Sequence, residues 1–321
     1  MGYGIPIIKK KVLLIGGLGY IGSKLYQDYK DDYDVDIVDN ELFGNPLKYP
    51  NMNCDYGDSR KLSKTFFKSY DVIILLAGHS SVKMAEGTAL SSFNNNVVKF
   101  LELMDKLNMN QKFIYASSSS VYGSVGGKKV NEEYYRFEPY NYYDISKHII
   151  DLYAVKSDLQ YYGLRFGTAN GYSPLTRTDV MINAMTDSAL NIGEIKLYIK
   201  DTMRPILGLN DLSGAIRSII ENGDIGKRGL YNLASFNKTA EQIANGVSNV
   251  LGIKVKEYEA DPTQVANTKL QTKSYNFAID CEKFEYTFKF RFEETVESIT
   301  MGLRDNWENI VKVRRDEFVK L

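Results

Sequence analysis

The chain predicts an α/β protein: a doubly wound parallel sheet followed by a smaller C-terminal α/β domain. Three observations carry that prediction. Short apolar runs alternate with helical patterns through the first half, the first run ends in a glycine cluster, and the second ends in an acidic residue. Residues 11–15 (Lys-Val-Leu-Leu-Ile) form an apolar run of the kind buried on both faces of a parallel sheet. Gly16-Gly17-Leu18-Gly19-Tyr20-Ile21-Gly22 follows, then a helical stretch over about 23–30. A second strand over 33–38 ends in Asp39, and further strands are expected over 72–77, 112–116 and 159–166. Between them Phe93, Val97, Phe100, Leu101 and Met104 recur at helical spacing and are expected in the core. After Pro174 the alternation breaks through 177–204 and again through 257–286, with helices expected near 180–190, 211–222 and 240–251. The division expected is 1–174 for the sheet domain and 175–321 for a smaller region, with about 205–240 returning to the first.

Composition narrows the function. The 321 residues are 44% hydrophobic and 25% charged, which is enough to bury a sizeable core. Forty Lys and Arg balance forty Asp and Glu, which removes the long-range attraction that nucleic-acid and anionic-membrane binders use. Two cysteines, Cys54 and Cys281, and two histidines, His79 and His148, lie far apart, so reduced thiols and no structural metal are expected. The first residues carry no long apolar stretch, and Pro6 stands where a myristoylation signal needs Ser or Thr. A cytoplasmic protein is the expectation.

Three local patterns carry chemistry. Gly16, Gly19 and Gly22 sit between a strand and a helix, where they allow a tight turn and a close approach of backbone N–H groups to a pyrophosphate. Asp39, 23 residues after Gly16, stands where a carboxylate binds both hydroxyls of an adenosine ribose and repels the extra phosphate of NADP. The alternative for Asp39 is a solvated loop acid or the start of an Asp39-Asn40 turn. The second pattern is Tyr143 and Lys147, four apart on one helix face, so that the ammonium favours the ionised phenol. The third is the serine run 117–120 with Val121, Tyr122 and Gly123, placed at the carboxyl end of a strand where hydroxyls face a ligand crevice.

Taken in this order, the residues resemble the extended short-chain dehydrogenase/reductase family, in its NAD-dependent nucleotide-sugar epimerase/dehydratase branch. The resemblance implies a Rossmann domain, NAD as cofactor, a nucleotide-diphosphate sugar as substrate and a homodimer formed by paired helices. It implies a catalytic set of Ser118, Tyr143 and Lys147. For NAD it implies Gly16, Gly19, Tyr20, Ile21, Gly22, Asp39 and Asn40; Asp58 and Ser59 beside the adenine, from the pair Gly57-Asp58; and Leu76, Ala77 and Gly78 at a strand end. For the substrate it implies Ser118, Ser119, Thr168, Asn183 and Arg204, the last two toward the diphosphate. The chain departs from the family pattern at Thr168, at Gly208-Leu209, and near 263–272, where an Arg-Pro-Gly-Asp segment is absent.

The implied reaction is C4 epimerisation of a nucleotide-diphosphate hexose through a transient 4-keto sugar, with Tyr143 as base, Lys147 keeping it ionised and Ser118 bonding the same oxygen. Dehydration, decarboxylation and 4-ketone reduction share its first step. Ser119 and Ser120 stand where the dehydratases carry an Asp-Glu pair, and a serine is too weak an acid or base to replace it, although Glu132 or Glu133 could supply a carboxylate from the following loop. A non-catalytic NAD sensor is the alternative from another class, and retention of Ser118, Tyr143 and Lys147 argues against it.

Overall fold

The computed structural model describes residues 9–85, 89–259 and 275–313, except the side chains of 82 and 83. Pro6 and the segment near 263–272 lie outside the described residues. Strand β1 (Lys11–Ile15) leads through α1 (Tyr20–Tyr29) to β2 (Asp34–Asp39) and the short β3 (Met52–Asn53). The chain then crosses back to β4 (Val72–Leu75) and β5 (Lys112–Ser118). Strands Gln160–Phe166 and Gly229–Leu233 complete a seven-stranded sheet ordered Gly229–Leu233, Gln160–Phe166, β5, β4, β1, β2, β3. Every pairing in it is parallel. The order reverses between β1 and β4, and a crevice opens beyond the strand ends at such a reversal.

The sequence folds this way because its strands are apolar on both sides. Successive side chains point to opposite faces. In β1, Val12 and Leu14 join one core with α1 and the helix Leu209–Asn222, while Leu13 and Ile15 join the other with Phe100, Phe113 and Ile150. The returning strand Gly229–Leu233 brings the later chain back into this sheet. A third core lies in helices Met181–Ile192, Ala240–Leu251 and Val296–Asn306, with Ile182, Ile243, Val247, Ile299 and Leu303 fully or nearly fully buried. Thr239 and Gln242 close a reciprocal cap at the start of Ala240–Leu251, and left-handed Gly252 ends it. A three-stranded sheet of Thr168–Asn170, Met203–Gly208 and Phe236–Thr239 joins the two bodies and carries Arg204.

Three differences from the expected elements have physical causes. Helix α1 starts at Tyr20 rather than near 23, because Gly22 packs against Gly16 and Gly17 and draws the helix into the loop. The fourth strand stops at Leu75; Leu76 and Ala77 both donate to the Ile15 carbonyl oxygen, at 2.8 and 3.0 Å, turning the chain over the end of β1. The apolar stripe through Phe93 and Met104 is interrupted by a π-helical stretch, Asn94–Val98, whose wider turn rotates the two halves apart. Val97 and Phe100 are buried, while Phe93 is 44% exposed. Among the described residues no helix is long and apolar enough to cross a membrane, and no three His, Cys, Asp or Glu side chains gather as a metal site.

Candidate active site

The crevice at the strand reversal is a cavity of about 460 Å³, walled by both bodies. Its floor is the glycine loop. Gly16 holds φ at 86°, and a Cβ there would stand 2.5 Å from the Ala77 nitrogen. A Cβ on Gly22 would stand 2.3 Å from the Gly16 oxygen, so neither position accepts a side chain. Gly19 is different: an added Cβ would meet only the Gly16 oxygen, at 3.5 Å, and otherwise project into open space. As the N-cap of α1 it makes no side-chain bond, which leaves the helix start at Tyr20, Ile21 and Gly22 on the cavity wall as an anion cradle. The Tyr20 ring turns away from the cradle, its hydroxyl donating to the Gly171 oxygen at 2.8 Å.

Asp39 closes β2 with its carboxylate braced over the loop, accepting the Leu18 N–H at 3.0 Å and the Glu41 N–H at 2.9 Å. Burial pushes its pKa up while these bonds pull it down. Asn40 stands at the same rim and accepts the Leu42 N–H. Leu76, Ala77 and Gly78 line the opposite wall, and Gly78 takes a φ of 144° beside Asn96. Asn96 ties this wall to the next helix: its Oδ1 accepts the His79 N–H at 2.7 Å, and its Nδ2 donates to the Ser146 hydroxyl at 3.0 Å. The free helix start, the Asp39 carboxylate and the apolar wall of Leu76, Ala77 and Gly78 are a lining that fits NAD at the switch point.

Ser118 ends β5 and caps the turn Ser119–Tyr122, accepting the Ser120 N–H at 3.2 Å. Asn141 caps the helix Tyr142–Lys156, which places Tyr143 in its first turn and Lys147 one turn later on the same face. Lys147 Nζ donates to the Ala116 oxygen at 2.7 Å and lies 5.8 Å from the Tyr143 ring centre. Burial pushes the Lys147 ammonium down to about 8. Burial also raises the Tyr143 phenol, against a hydrogen bond from Ser118 and the Arg177 charge, both of which lower it. The structure therefore gathers Ser118, Tyr143 and Lys147 at one point of the cavity, where Ser119 and Thr168 also line the wall.

Arg204 reaches the cavity from the three-stranded sheet. One guanidinium nitrogen donates to the Tyr275 oxygen at 3.2 Å, while its buried Nε has no hydrogen-bond partner among the described residues. Burial lowers its pKa, and no carboxylate pairs with it among the described residues. Arg177 beside it is already spent on Asp179, through bonds of 2.9 and 2.7 Å.

Three expected site residues are corrected. Asn183 is fully buried behind the wall, its amide accepting the Gly171 N–H and donating to the Tyr20 hydroxyl and the Arg177 oxygen, so its bonding is spent on the scaffold. Asp58 folds back onto the Arg60 and Lys61 N–H groups, and Ser59 is exposed; neither lines the cavity. The residues that do are Asp55 and Tyr56, because β3 ends at Asn53 and the next turn carries them inward. Asp55 Oδ2 accepts from Lys99 Nζ at 2.7 Å. Ser120 lines the cavity with the rest of the serine run, and Tyr275 and Phe277 line it without having been expected there. Of the histidines, His79 shares a 2.9 Å hydrogen bond with Ser92, and His148 stacks on Phe137. Glu132 is engaged by the Asn232 N–H at 2.7 Å and does not line the cavity.

Residues 12–234 match the model of the NAD dependent epimerase/dehydratase family. The chain belongs to that family. Among curated members, Protein CapI of Staphylococcus aureus is 27% identical over 233 residues, 66% of this chain and 69% of that protein. A UDP-glucose 4-epimerase of Mycoplasma genitalium is 30% identical over 182 residues, 51% of this chain and only 54% of that relative's length. The fold of this epimerase/dehydratase chain is shared with the solved UDP-N-acetylglucosamine 4-epimerase of Methanobrevibacter ruminantium, at a TM-score of 0.77 and 22% identity, over 94% of this chain and 100% of the other.

Proposed function

We propose that the chain is an NAD-dependent 4-epimerase of a nucleotide-diphosphate hexose. The observation that carries the substrate class is Arg204: a guanidinium buried on the wall shared with Ser118 and Tyr143, with Nε unpartnered among the described residues. An uncompensated buried cation costs several kcal/mol, and a diphosphate restores the balance with bidentate hydrogen bonds. Asp55 and Tyr56 would flank the adenine end of NAD, the α1 start its pyrophosphate and Asp39 its ribose. When bound, NAD supplies a reversible hydride acceptor.

The chain's own residues do the rest. Tyr143 takes the proton of the sugar 4-hydroxyl, Ser118 hydrogen-bonds the same oxygen, and charged Lys147 favours the phenolate that accepts the proton. Arg204 holds the diphosphate while the sugar turns. Epimerisation is favoured over dehydration because Ser119 and Ser120 follow Ser118, and because Glu132 is engaged elsewhere. Incubation with UDP- and dTDP-hexoses in deuterated water tests this reading. Epimerisation returns the C4 epimer without solvent deuterium on carbon, whereas a deuterated 4-keto-6-deoxy sugar would overturn it.

The proposal extends to a homodimer in the cytoplasm. Leu90 and Phe93 on one helix, with Leu152, Tyr153 and Val155 on the neighbouring Tyr142–Lys156, leave five large apolar side chains exposed at 44 to 69%. Pairing that face with a second copy would bury it.

A further inference from the structure

We infer that Tyr275 is a positioning residue that fixes the start of the helix carrying Tyr143 and Lys147 to the wall carrying Arg204, so that an anion held by Arg204 steadies the first turn of that helix. The inference rests on the diphosphate reading of Arg204, and its test separates the two.

Tyr275 is bonded at both ends. Its hydroxyl donates to Asp144 Oδ2 at 2.7 Å and accepts the Asn141 amide N–H at 2.7 Å. Asn141 is the N-cap of Tyr142–Lys156: its Oδ1 accepts the Asp144 N–H at 3.0 Å, and its amide also donates to Asp144 Oδ2 at 3.2 Å. The three side chains close a ring of hydrogen bonds around the turn that holds Tyr143. At the other end the Tyr275 carbonyl oxygen accepts Arg204 at 3.2 Å, and the guanidinium carbon stands 5.9 Å from the ring centre. The next two residues continue this attachment, with Asn276 Oδ1 accepting the Met203 N–H at 2.9 Å and the Phe277 N–H donating to the Met203 oxygen at 3.2 Å. Tyr275 is therefore held to the strand Met203–Gly208 through backbone, and hydrogen-bonded to the helix through its hydroxyl.

Capping by itself does not call for this phenol. Asn141 already accepts the N–H that an N-cap serves, and Asp144, favoured by the helix dipole, already accepts the Tyr140 N–H at 3.1 Å. The hydroxyl comes from 131 residues further along the chain, and ordering so distant a side chain gives up conformational entropy. What it adds is a continuous path from guanidinium to carbonyl oxygen, aromatic ring, hydroxyl and N-cap. Arg204, Tyr275 and Tyr143 line the same cavity. With its Nε unpartnered among the described residues, the guanidinium has freedom that a bound anion removes, and the ring passes that order to the helix start. A nucleotide sugar spans the same gap, diphosphate at Arg204 and sugar at Tyr143, so the separation bears on the reaction.

The test reads amide hydrogen exchange in NAD-loaded protein with and without UDP, which carries the diphosphate and no hexose. The reporting amides are those of Asp144 and Ile145, which donate to the Asn141 side-chain and backbone oxygens at 3.0 and 3.2 Å. In wild type, saturating UDP is expected to slow their exchange by about fivefold. Tyr275→Phe keeps the ring and the carbonyl oxygen that meet Arg204, so calorimetric UDP affinity should stay within about twofold while the slowing at both amides disappears. With a hexose that wild type epimerises, kcat of Tyr275→Phe should fall by about tenfold at unchanged KM, the split of a group that orients and does not bind. Slowing retained in Tyr275→Phe, or UDP bound to wild type without slowing, overturns the inference. So does a Tyr275→Phe that loses UDP affinity or raises KM at unchanged kcat, since Tyr275 would then be a ligand of the substrate. UDP that fails to bind wild type overturns the diphosphate reading and this inference with it, whereas binding without slowing fells the inference alone.

Discussion

At the scale of single residues, the proposed chemistry rests on groups whose charge the fold disfavours. Tyr143→Phe keeps the ring and removes the proton acceptor, so turnover of a nucleotide sugar should fall by about two to four powers of ten, while calorimetric NAD affinity stays within about threefold. Lys147 gives a pH signature. Its folded pKa of about 8 lies below the ordinary lysine value, so between the two the unfolded chain holds more protons and stability rises with pH. Wild type should therefore gain up to about 3 kcal/mol relative to Lys147→Met from pH 8 to 10, read by chemical denaturation of the cofactor-free protein. A flat difference would contradict the burial of a charged ammonium. Asp39 argues for cofactor choice: at about 4 Å and an effective dielectric of about 20, a carboxylate and a 2′-phosphate repel by roughly 4 kcal/mol. NAD should bind at least about a hundredfold more tightly than NADP, and Asp39→Ala should narrow the gap.

At the scale of elements, local signals were readable and their registers were not. The glycine spacing, the acid after β2, and the Tyr143–Lys147 pair each lie within one turn or one strand, so adjacent sequence exposes them. Asp55 and Tyr56 were missed because β3 is two exposed residues, Met52 and Asn53, with no apolar run to mark its end, and the neighbouring Gly57-Asp58 pair imitates the motif. Asn183 looks like a ligand residue in sequence because only tertiary packing spends its amide. Tyr275 joins the site from more than 130 residues beyond Tyr143, a distance no local pattern spans. The π-helical stretch exposes Phe93, and with it the face read as a dimer contact. Leu152→Asp combined with Tyr153→Asp should convert a dimer to a monomer in sedimentation, leaving NAD affinity unchanged; a wild-type monomer would dismiss that face as an interface.

At the scale of the whole molecule, the strand end that carries Ser118, the helix start that carries Tyr143 and the smaller sheet that carries Arg204 meet across one cavity. Burying a guanidinium with no anion among the described residues makes the ligand-free protein less stable than its packing alone allows. That deficit has an outward sign in how ligands protect the fold from heat. UDP should raise the melting temperature well beyond uridine at equal saturation, since only the diphosphate meets the guanidinium. Arg204→Met should melt higher than wild type when empty, by about 1 to 3 kcal/mol of stability, and should lose the advantage of UDP over uridine. The same substitution that hardens the resting protein would then leave it unable to hold its substrate, and selection on heat resistance alone would drift toward an inactive enzyme.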